Sequence, residues 1–325
     1  MSKRMAILLG FWLVTISVPD RGFAAETYAS RVFSVDQSVY AVRFSDAGDR
    51  VALATDDGTV IFDTSDGKQV AELKSKASFV AWSPDGSMLM VGTGEALHFW
   101  RTADYSKEFA TIPQDTQTLI IGLPREPFSP DGKRVVVRRQ DDTAAVWQIE
   151  GSREVAILDG HASPLSDASF SPDGRRVATA AADKTLVVWD AATAKKIAKL
   201  EGHEKAIDQV SFSPDGMRIL TVGRDRAVRV WDAAGGHEIA TLRHQGDVEA
   251  ASFDPESRRI VTGTDDGVAR VFNAANGEEI ATLKEAGVEK VLSAGFSPDG
   301  ARVATGSWTN ICASGTGLPG SRSSS

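Results

Sequence analysis

The chain has 325 residues, of which 42% are hydrophobic and 25% are charged, and this composition is that of an ordinary globular protein and argues against a disordered chain. The formal net charge is −8 and the Lys and Arg residues are scattered, so we expect no nucleic-acid partner. Cys312 is the only cysteine, which excludes a disulfide framework and a cysteine-ligated metal site. We therefore expect no metal and no cofactor.

The first 24 residues have the order of a secretory signal peptide. Lys3 and Arg4 precede an apolar run over residues 5–18, and the small-x-small sequence Gly22-Phe23-Ala24 follows. The run is shorter than the roughly 20 residues that a membrane-spanning helix needs. We predict cleavage after Ala24 and a bacterial protein that is periplasmic or secreted, without stable membrane insertion. An uncleaved segment that anchors the chain in a membrane is one alternative, and a buried N-terminal strand or helix of the domain is another.

An aromatic residue followed by a turn tetrapeptide recurs along the rest of the chain. The aromatic markers are Phe44, Trp82, Phe128, Phe170, Phe212, Phe253 and Phe296. After five of them comes Ser-Pro-Asp-Gly, in which Pro fixes φ, Ser and Asp bond nearby backbone, and Gly accepts the strained last position. Segments of strand length, such as Ile207 to Ser213 and Arg218 to Val222, flank each turn.

The repeat predicts a β-propeller over residues 25–308. Seven units are present, and each contains about four short strands, which we letter a to d in chain order. A lone four-stranded sheet cannot cover both of its faces, whereas sheets that stack radially cover each other. A helical repeat is not favoured, because the pattern lacks a 3.6-residue period.

The repeated residues resemble the WD-repeat (WD40) family. The residues that carry the resemblance are Gly202-His203, Ser213 to Gly216, Trp231-Asp232, Gly160-His161 and Trp189-Asp190. The resemblance spans residues 27–308 and implies an all-β fold, a seven-bladed WD40-type β-propeller whose last blade is incomplete. Together with the signal peptide it indicates a bacterial exported type. It also implies a noncatalytic protein–protein interaction scaffold with a protein or peptide partner.

In this family a His, a Ser or Thr, an Asp and a Trp of one unit form a hydrogen-bonded tetrad that stabilises the blade. The matching sets are His161, Thr179, Asp183 and Trp189; His203, Thr221, Asp225 and Trp231; and His244, Thr262, Asp266 and Phe272. Repetition in successive blades indicates a structural role, because an enzyme needs only one site. The third set should be weaker, since Phe272 cannot donate the hydrogen bond of an indole.

The resemblance places partner binding on the loops that connect strand d with the next strand a, and strand b with strand c. Loops on a rigid scaffold commonly carry function. The candidate partner-binding residues on these loops are Lys205, Asp208, Arg224, Arg226, Gln245 and Asp247. For each of them taken singly, ordinary solvated surface charge is the alternative interpretation.

A secreted propeller enzyme or small-ligand binder that uses the central channel is the alternative function. The irregular stretch Pro113 to Pro127 could shape a ligand site, because its prolines interrupt a strand expected to line the channel. A harmless insertion is the other explanation of this stretch. The sequence has no phosphate-binding loop, nucleophile elbow or His cluster, so we predict that the protein is not an enzyme and has no catalytic residues.

The residues at the two ends of the repeat region are predicted to differ in structure. Residues 27–33 are predicted to form the outer strand of the last blade and so to close the ring. Residues 309–325 are predicted to be a disordered tail, because the repeat pattern stops at Trp308. Codons shifted by one base across residues 308–320 permit Asp-Lys-Tyr-Leu-Arg-Val-Trp-Asp-Gly-Ala-Thr-Gly, which matches the repeat. A frameshift that replaced strand c of blade 7 is therefore one hypothesis for the tail, and a natural Gly- and Ser-rich linker is the other.

Overall fold

A computed structural model describes residues 13–18, 29–35, 38–45, 47–74, 76–113, 127–139, 141–284, 288–307 and 312–315. Every regular element within these ranges is a β-strand. The chain divides into two compact units. One unit comprises Met1–Asp115 and Ile149–Ser152, and the other comprises Thr116–Gln148 and Arg153–Ser325.

The first unit contains a two-stranded ribbon and two four-stranded antiparallel sheets, which we name blades 1 and 2. The ribbon consists of β1 (Leu13–Val18) and β2 (Ala29–Ser34). Blade 1 consists of β3 (Val39–Phe44), β4 (Arg50–Thr55), β5 (Thr59–Asp63) and β6 (Gln69–Leu73). Blade 2 consists of β7 (Phe79–Trp82), β8 (Met88–Gly92), β9 (Ala96–Arg101) and β10 (Glu108–Pro113).

The second unit contains five antiparallel sheets, which we name blades 3 to 7. Blade 3 consists of β11 (Arg134–Arg138), β12 (Ala144–Gln148) and β13 (Arg153–Leu158). Blade 4 consists of β14 (Leu165–Phe170), β15 (Arg176–Ala181), β16 (Thr185–Asp190) and β17 (Lys196–Glu201). Blade 5 consists of β18 (Ile207–Phe212), β19 (Arg218–Gly223), β20 (Ala227–Asp232) and β21 (Glu238–Arg243). Blade 6 consists of β22 (Val248–Phe253), β23 (Arg259–Thr264), β24 (Val268–Asn273) and β25 (Glu279–Lys284). Blade 7 consists of β26 (Val291–Phe296), β27 (Val303–Ser307) and β28 (Cys312–Gly315).

The predicted fold class is confirmed, because the described residues form seven blade sheets of antiparallel strands in chain order. Blade 7 has three strands within these residues, and in blade 3 a single bridge between Phe128 and Val135 stands where strand a is expected. The Ser-Pro-Asp-Gly segments form the predicted hairpin corners. In blade 5 the Gly216 N–H donates to the Ser213 carbonyl at 2.8 Å, and Gly216 has a φ of 70°.

The apolar core lies between neighbouring blades, because successive side chains of a strand point to opposite faces of its sheet. On β19, Ile219 packs with Leu186 of blade 4, whereas Leu220 packs with Ile260 of blade 6. Trp231 joins the cluster on the blade 4 side. Consecutive blades within the second unit therefore share a core.

A row of arginines links consecutive blades at the end of the strands where a–b turns lie. In blades 3 to 6 the arginine that starts strand b donates to a backbone oxygen in the a–b turn of the next blade. The pairs are Arg134 with Gly174 at 2.8 Å, Arg176 with Gly216 at 2.9 Å, Arg218 with Ser257 at 2.9 Å, and Arg259 with Gly300 at 2.6 Å. Three of these guanidinium groups also lie over an aromatic ring of the next blade: Phe170, Phe212 and Phe296. This arginine row was not predicted from the sequence.

The predicted place of residues 27–33 in the last blade is wrong. Ala29–Ser34 is a strand, but its partner is Leu13–Val18, and the two strands form a sheet by themselves. The partner is an apolar, β-branched run close in sequence, so the entropy cost of bringing the two strands together is small.

The structure describes little of the C-terminal tail. Cys312–Gly315 pairs with Val303–Ser307, so these four residues form a strand although they belong to the segment predicted to be disordered. Trp308, the rest of residues 309–325 and most of the proline-bounded stretch, residues 114–126, lie outside the described residues. The frameshift hypothesis and the predicted loop of blade 3 therefore stay predictions.

Candidate functional site

The d–a and b–c connections of blades 4 to 6 lie at the same end of the strands, because neighbouring strands run antiparallel. We name this end of the second unit the loop face. Its d–a loops are residues 159–164, 202–206 and 244–247, and its b–c loops are residues 182–184, 224–226 and 265–267. All twelve tetrad candidates and all six candidate partner-binding residues lie on these loops or on the strands that they connect.

In blade 4 the structure brings the four predicted residues into one hydrogen-bonded chain. The Trp189 Nε1–H donates to Thr179 Oγ1 at 2.8 Å. The Asp183 carboxylate can only accept, so the proton of the neutral His161 ring lies on Nδ1, and Nε2 accepts the hydroxyl proton of Thr179 at 2.8 Å. The remaining ring nitrogen, Nδ1, donates to the Asp183 carboxylate at 3.1 Å. The tautomer with the proton on Nδ1 follows from this network.

Blade 5 repeats the chain with nearly the same distances. Trp231 Nε1 to Thr221 Oγ1 is 2.9 Å, Thr221 Oγ1 to His203 Nε2 is 2.8 Å, and His203 Nδ1 to Asp225 is 2.9 Å. The second oxygen of Asp225 accepts the backbone N–H of Glu204 at 2.9 Å. Asp225 thus ties its own b–c loop to the d–a loop beside it.

The protonation states agree with this direction of donation. Burial lowers the pKa of His203, and the hydrogen bond with Asp225 offsets burial only in part. Burial would raise the pKa of Asp225, but the Glu204 N–H and His203 lower it overall. The imidazole is therefore neutral and the carboxylate ionised. With both of its ring nitrogens engaged, His203 has none free for proton transfer or metal binding, so this arrangement is suited to fixing loops.

The third predicted set does not form a tetrad, and its assignment is corrected. His244 Nε2 bonds Thr262 Oγ1 at 2.9 Å, but the buried Nδ1 of His244 has no hydrogen-bond partner. Asp266 instead accepts the hydroxyl of Thr264 and the backbone N–H of Val268. Burial and, to a smaller extent, the positive charge of Arg270 lower the pKa of His244 to about 4.

Thr264 explains why Asp266 turns away. The equivalent residue in blade 5 is Gly223, where an added Cβ would lie 2.3 Å from His203 Nδ1 and 2.5 Å from Asp225 Oδ1. Ala181 of blade 4 occupies the same position beside an intact bond between His161 and Asp183, so a Cβ alone is tolerated there, and the larger side chain of Thr264 is what differs in blade 6. Its hydroxyl also offers Asp266 a closer donor than His244.

The six candidate partner-binding residues are on the loop face, and five of them take part in two polar groups. Arg224 Nε lies 3.0 Å from both carboxylate oxygens of Asp208. Arg226 bonds the Asp247 carboxylate at 2.9 Å and the Gln245 backbone oxygen at 3.1 Å. Lys205 is exposed. Solvated ion pairs of this kind add little to stability, so these side chains can re-pair with a partner at small cost.

A polar group beneath the loop face of blade 5 was not predicted from the sequence. The buried Arg229 donates to Glu238 and, at 3.1 Å, to Thr241 Oγ1, while Thr241 also donates to Glu238. The signal was a Glu-x-x-Thr spacing in the outer strand, which recurs at Glu279 and Thr282 of blade 6. This group ties strand c to strand d.

Two kinds of site do not occur within the described ranges. These residues contain no group of three or more His, Cys, Asp or Glu side chains placed to bind a metal ion. They also contain no helix of the length and hydropathy that a membrane crossing requires.

Comparison with known families identifies the repeats of blades 4 to 6. Residues 152–190, 194–232 and 236–273 each match the family model described as WD domain, G-beta repeat. The matches end at Asp190, Asp232 and Asn273, the last residues of strand c in the three blades. No curated protein matches the chain. The chain thus contains three consecutive WD40 repeats. The loops that form the loop face lie within these three repeats.

Proposed function

We infer from these three consecutive WD40 repeats that the chain is a noncatalytic protein–protein interaction scaffold, and we propose that a protein or peptide binds the loop face of blades 4 to 6. WD40 repeats typically build interaction platforms. The observation that carries the choice of this face is the contact between Asp225 and the Glu204 N–H, which joins two neighbouring loops.

Preorganised loops favour binding because a partner need not fix them in place. In blade 4, Asp183 accepts the Ala162 N–H at 2.8 Å, which repeats the tie between b–c and d–a loops seen in blade 5. The side chains that project from these fixed loops are charged or polar and exposed, as at the rim of a protein interface. Both ring nitrogens of His161 and His203 are engaged, and this supports binding rather than catalysis.

A charge swap tests the proposal without removing an ion pair. The double variant Asp208→Arg with Arg224→Asp keeps opposite charges side by side but exchanges their positions on the loop face. The matched control is Glu256→Arg with Arg258→Glu, an exposed pair at 3.1 Å in the a–b turn of blade 6. The partner is first captured with the wild-type chain from periplasmic and secreted fractions, and its affinity for each variant is then measured.

We expect the loop-face swap to weaken binding about tenfold or more, and the control swap to leave it unchanged. Both variants should melt like the wild type, since exposed ion pairs contribute little to stability. Equal binding by wild type and loop-face swap, or a loss confined to the control swap, would overturn the choice of this face. Failure to capture any protein partner would contradict the scaffold itself.

We also propose that the chain is exported from the cytoplasm of a bacterium to the periplasm or the medium. The support is the order of charged, apolar and small residues within residues 1–24. N-terminal sequencing of the exported protein should begin at Ala25, and exchanging Lys3 and Arg4 for Glu should reduce export. A mature chain that keeps residues 1–24 in the membrane fraction would support the anchored alternative. Cleavage after Ala24 would remove β1, the strand that pairs with β2.

A further inference from the structure

The turn between β24 and β25 places Asn276 next to Gly277 on the surface of blade 6. Asn276 is exposed, and Gly277 has a φ of 74°. The Asn276 side-chain oxygen accepts the backbone N–H of Glu278 at 3.1 Å. The N–H of Gly277 donates to the carbonyl of Asn273 at 2.9 Å.

We propose that Asn276 is a site of spontaneous deamidation, independent of the partner that the loop face binds. The deprotonated backbone nitrogen of Gly277 attacks the side-chain amide carbon of Asn276. A ring C–N bond forms, the bond to the amide nitrogen breaks, and ammonia leaves with the proton. Water then opens the resulting succinimide at either carbonyl, which gives aspartate or isoaspartate. No oxidant or reductant takes part.

The turn favours this reaction in two ways. The hydrogen bond from Glu278 folds the side-chain amide back along its own backbone and withdraws electrons from the carbon that is attacked. Gly277 lacks a side chain that would crowd the attacking nitrogen. The bond from Gly277 to Asn273 must open before attack, so local opening of the turn controls the rate in the folded chain.

Asn273, in the same turn, is an internal control. Its side-chain oxygen accepts the Ala275 N–H at 2.8 Å, so its side chain is folded back in the same way. The residue that follows is Ala274, which is fully buried and whose N–H donates to the Arg258 carbonyl at 2.9 Å. A methyl group and a buried hydrogen bond therefore hinder attack at Asn273.

Blade 1 shows that an aspartate fits this kind of turn. Its equivalent turn contains Asp66 and Gly67, and Asp66 Oδ1 accepts the Lys68 N–H at 3.0 Å. The Lys68 ammonium also pairs with Asp66 at 3.0 Å, whereas blade 6 has Glu278 in the place of Lys68. The aspartate product at position 276 would thus keep the turn but lie beside a like charge.

The isoaspartate product would affect the packing of blade 6 on blade 5. A Cβ on Gly277 would lie 2.9 Å from the Cβ of Ala240 on β21, so the turn packs closely against that strand. Isoaspartate adds one carbon to the main chain and shifts Gly277 relative to Ala240. We therefore expect this product to loosen the contact between the two blades.

The test uses the purified full chain, incubated at neutral and at alkaline pH and then analysed by peptide mass mapping and by labelling with an isoaspartyl methyltransferase. We expect the mass change from amide to carboxylate only in the peptide that contains residue 276, with faster reaction at alkaline pH. Asn273 should stay intact. The aged chain should also melt at a lower temperature.

Three variants complete the test. Asn276→Gln should remove both the mass change and the label from the peptide that contains residue 276, because its longer side chain would have to close a six-membered imide, which forms far more slowly. Asn276→Asp should reproduce the aspartate product, and adding Glu278→Lys should restore the charge pair of blade 1. Persistence of the Asn276 amide while a peptide of the same sequence reacts, or equal reaction at Asn273, would overturn the proposal.

Discussion

Blades 5 and 6 share their strand pattern and the lengths of the loops within each blade, yet only one of them has a complete polar tetrad. In blade 5 the chain runs from Trp231 through Thr221 and His203 to Asp225. In blade 6 the histidine bonds only Thr262, and its second nitrogen is buried without a partner. The difference shows that a repeat can keep its backbone while losing the polar network that fixes its loops.

Two substitutions in the sequence account for this difference. Phe272 stands in place of the indole donor, so Thr262 loses one hydrogen bond. Thr264 stands in place of Gly223, so the aspartate finds a nearer donor than the histidine. The consequence is a buried, neutral imidazole whose unpaired nitrogen costs about 1 to 3 kcal/mol.

The largest expected effect is that of Thr221→Val in blade 5. Valine has nearly the shape of threonine but leaves both Trp231 Nε1 and His203 Nε2 without partners. We expect a loss of about 2 to 4 kcal/mol in the free energy of unfolding, measured by urea titration. Thr262→Val in blade 6 should lose about half as much, because only His244 bonds that hydroxyl. Equal losses in the two blades would contradict the comparison.

Acid should act mainly through blade 6. The pKa of His244 is about 4 in the folded chain, against about 6.5 in the unfolded chain. As the pH falls, the unfolded state therefore binds the proton first. The free energy of unfolding is highest above pH 6.5 and decreases as the pH falls toward 4. The loss reaches about 3 kcal/mol.

The melting temperature of His244→Asn should depend less on pH across this range than that of the wild type. His237→Asn, at an exposed position of blade 5, serves as the control and should follow the wild-type profile. A His244→Asn profile as steep as that of the wild type would assign the acid sensitivity to other groups.

A repair of blade 6 should produce a smaller change in the opposite direction. Thr264→Ala copies Ala181 of blade 4 and frees Asp266 to bond His244, while Phe272→Trp supplies the missing indole donor. The double variant should gain about 1 kcal/mol of stability, and its acid sensitivity should decrease. NMR of the His244 ring should show a hydrogen bond at Nδ1. A destabilised variant with an unbonded Nδ1 would refute the explanation based on Thr264.

The smallest effects are expected at the opposite end of the blades, where each blade receives an arginine from the preceding blade. Arg218 bonds Ser257 of blade 6, whereas Arg176 bonds both Gly216 and Ala233 of blade 5 and lies over the Phe212 ring. Arg218→Lys should cost less than about 1 kcal/mol and Arg176→Lys about 1 kcal/mol, because an ammonium cannot reproduce the planar contacts of a guanidinium. The exposed Arg175→Lys is the control and should leave the melting temperature unchanged. A loss at Arg218 as large as that at Arg176 would show that the additional contacts of Arg176 do not stabilise blade 5.

Local patterns were enough to predict much of the fold and part of the site. The strand that begins at Arg218 and the turn at Ser213 follow from β-branched runs and turn residues, whose preferences act within a few residues. The complete tetrads of blades 4 and 5 followed from the family resemblance, and Phe272 indicated in advance that blade 6 would differ. The alternate partner of Asp266 was missed, because it depends on a competition between two donors in space.

The sequence by itself determined the repeat, the strands and the residue types that can bond one another. Only the tertiary structure decided which bonds form between groups far apart in the chain. It placed Arg176 against the turn of the next blade, and it paired Ala29–Ser34 with the N-terminal strand instead of the last blade. The physical reason is that strand preference and turn chemistry are local, whereas a buried donor selects the nearest unoccupied acceptor that the packing of the whole blade provides.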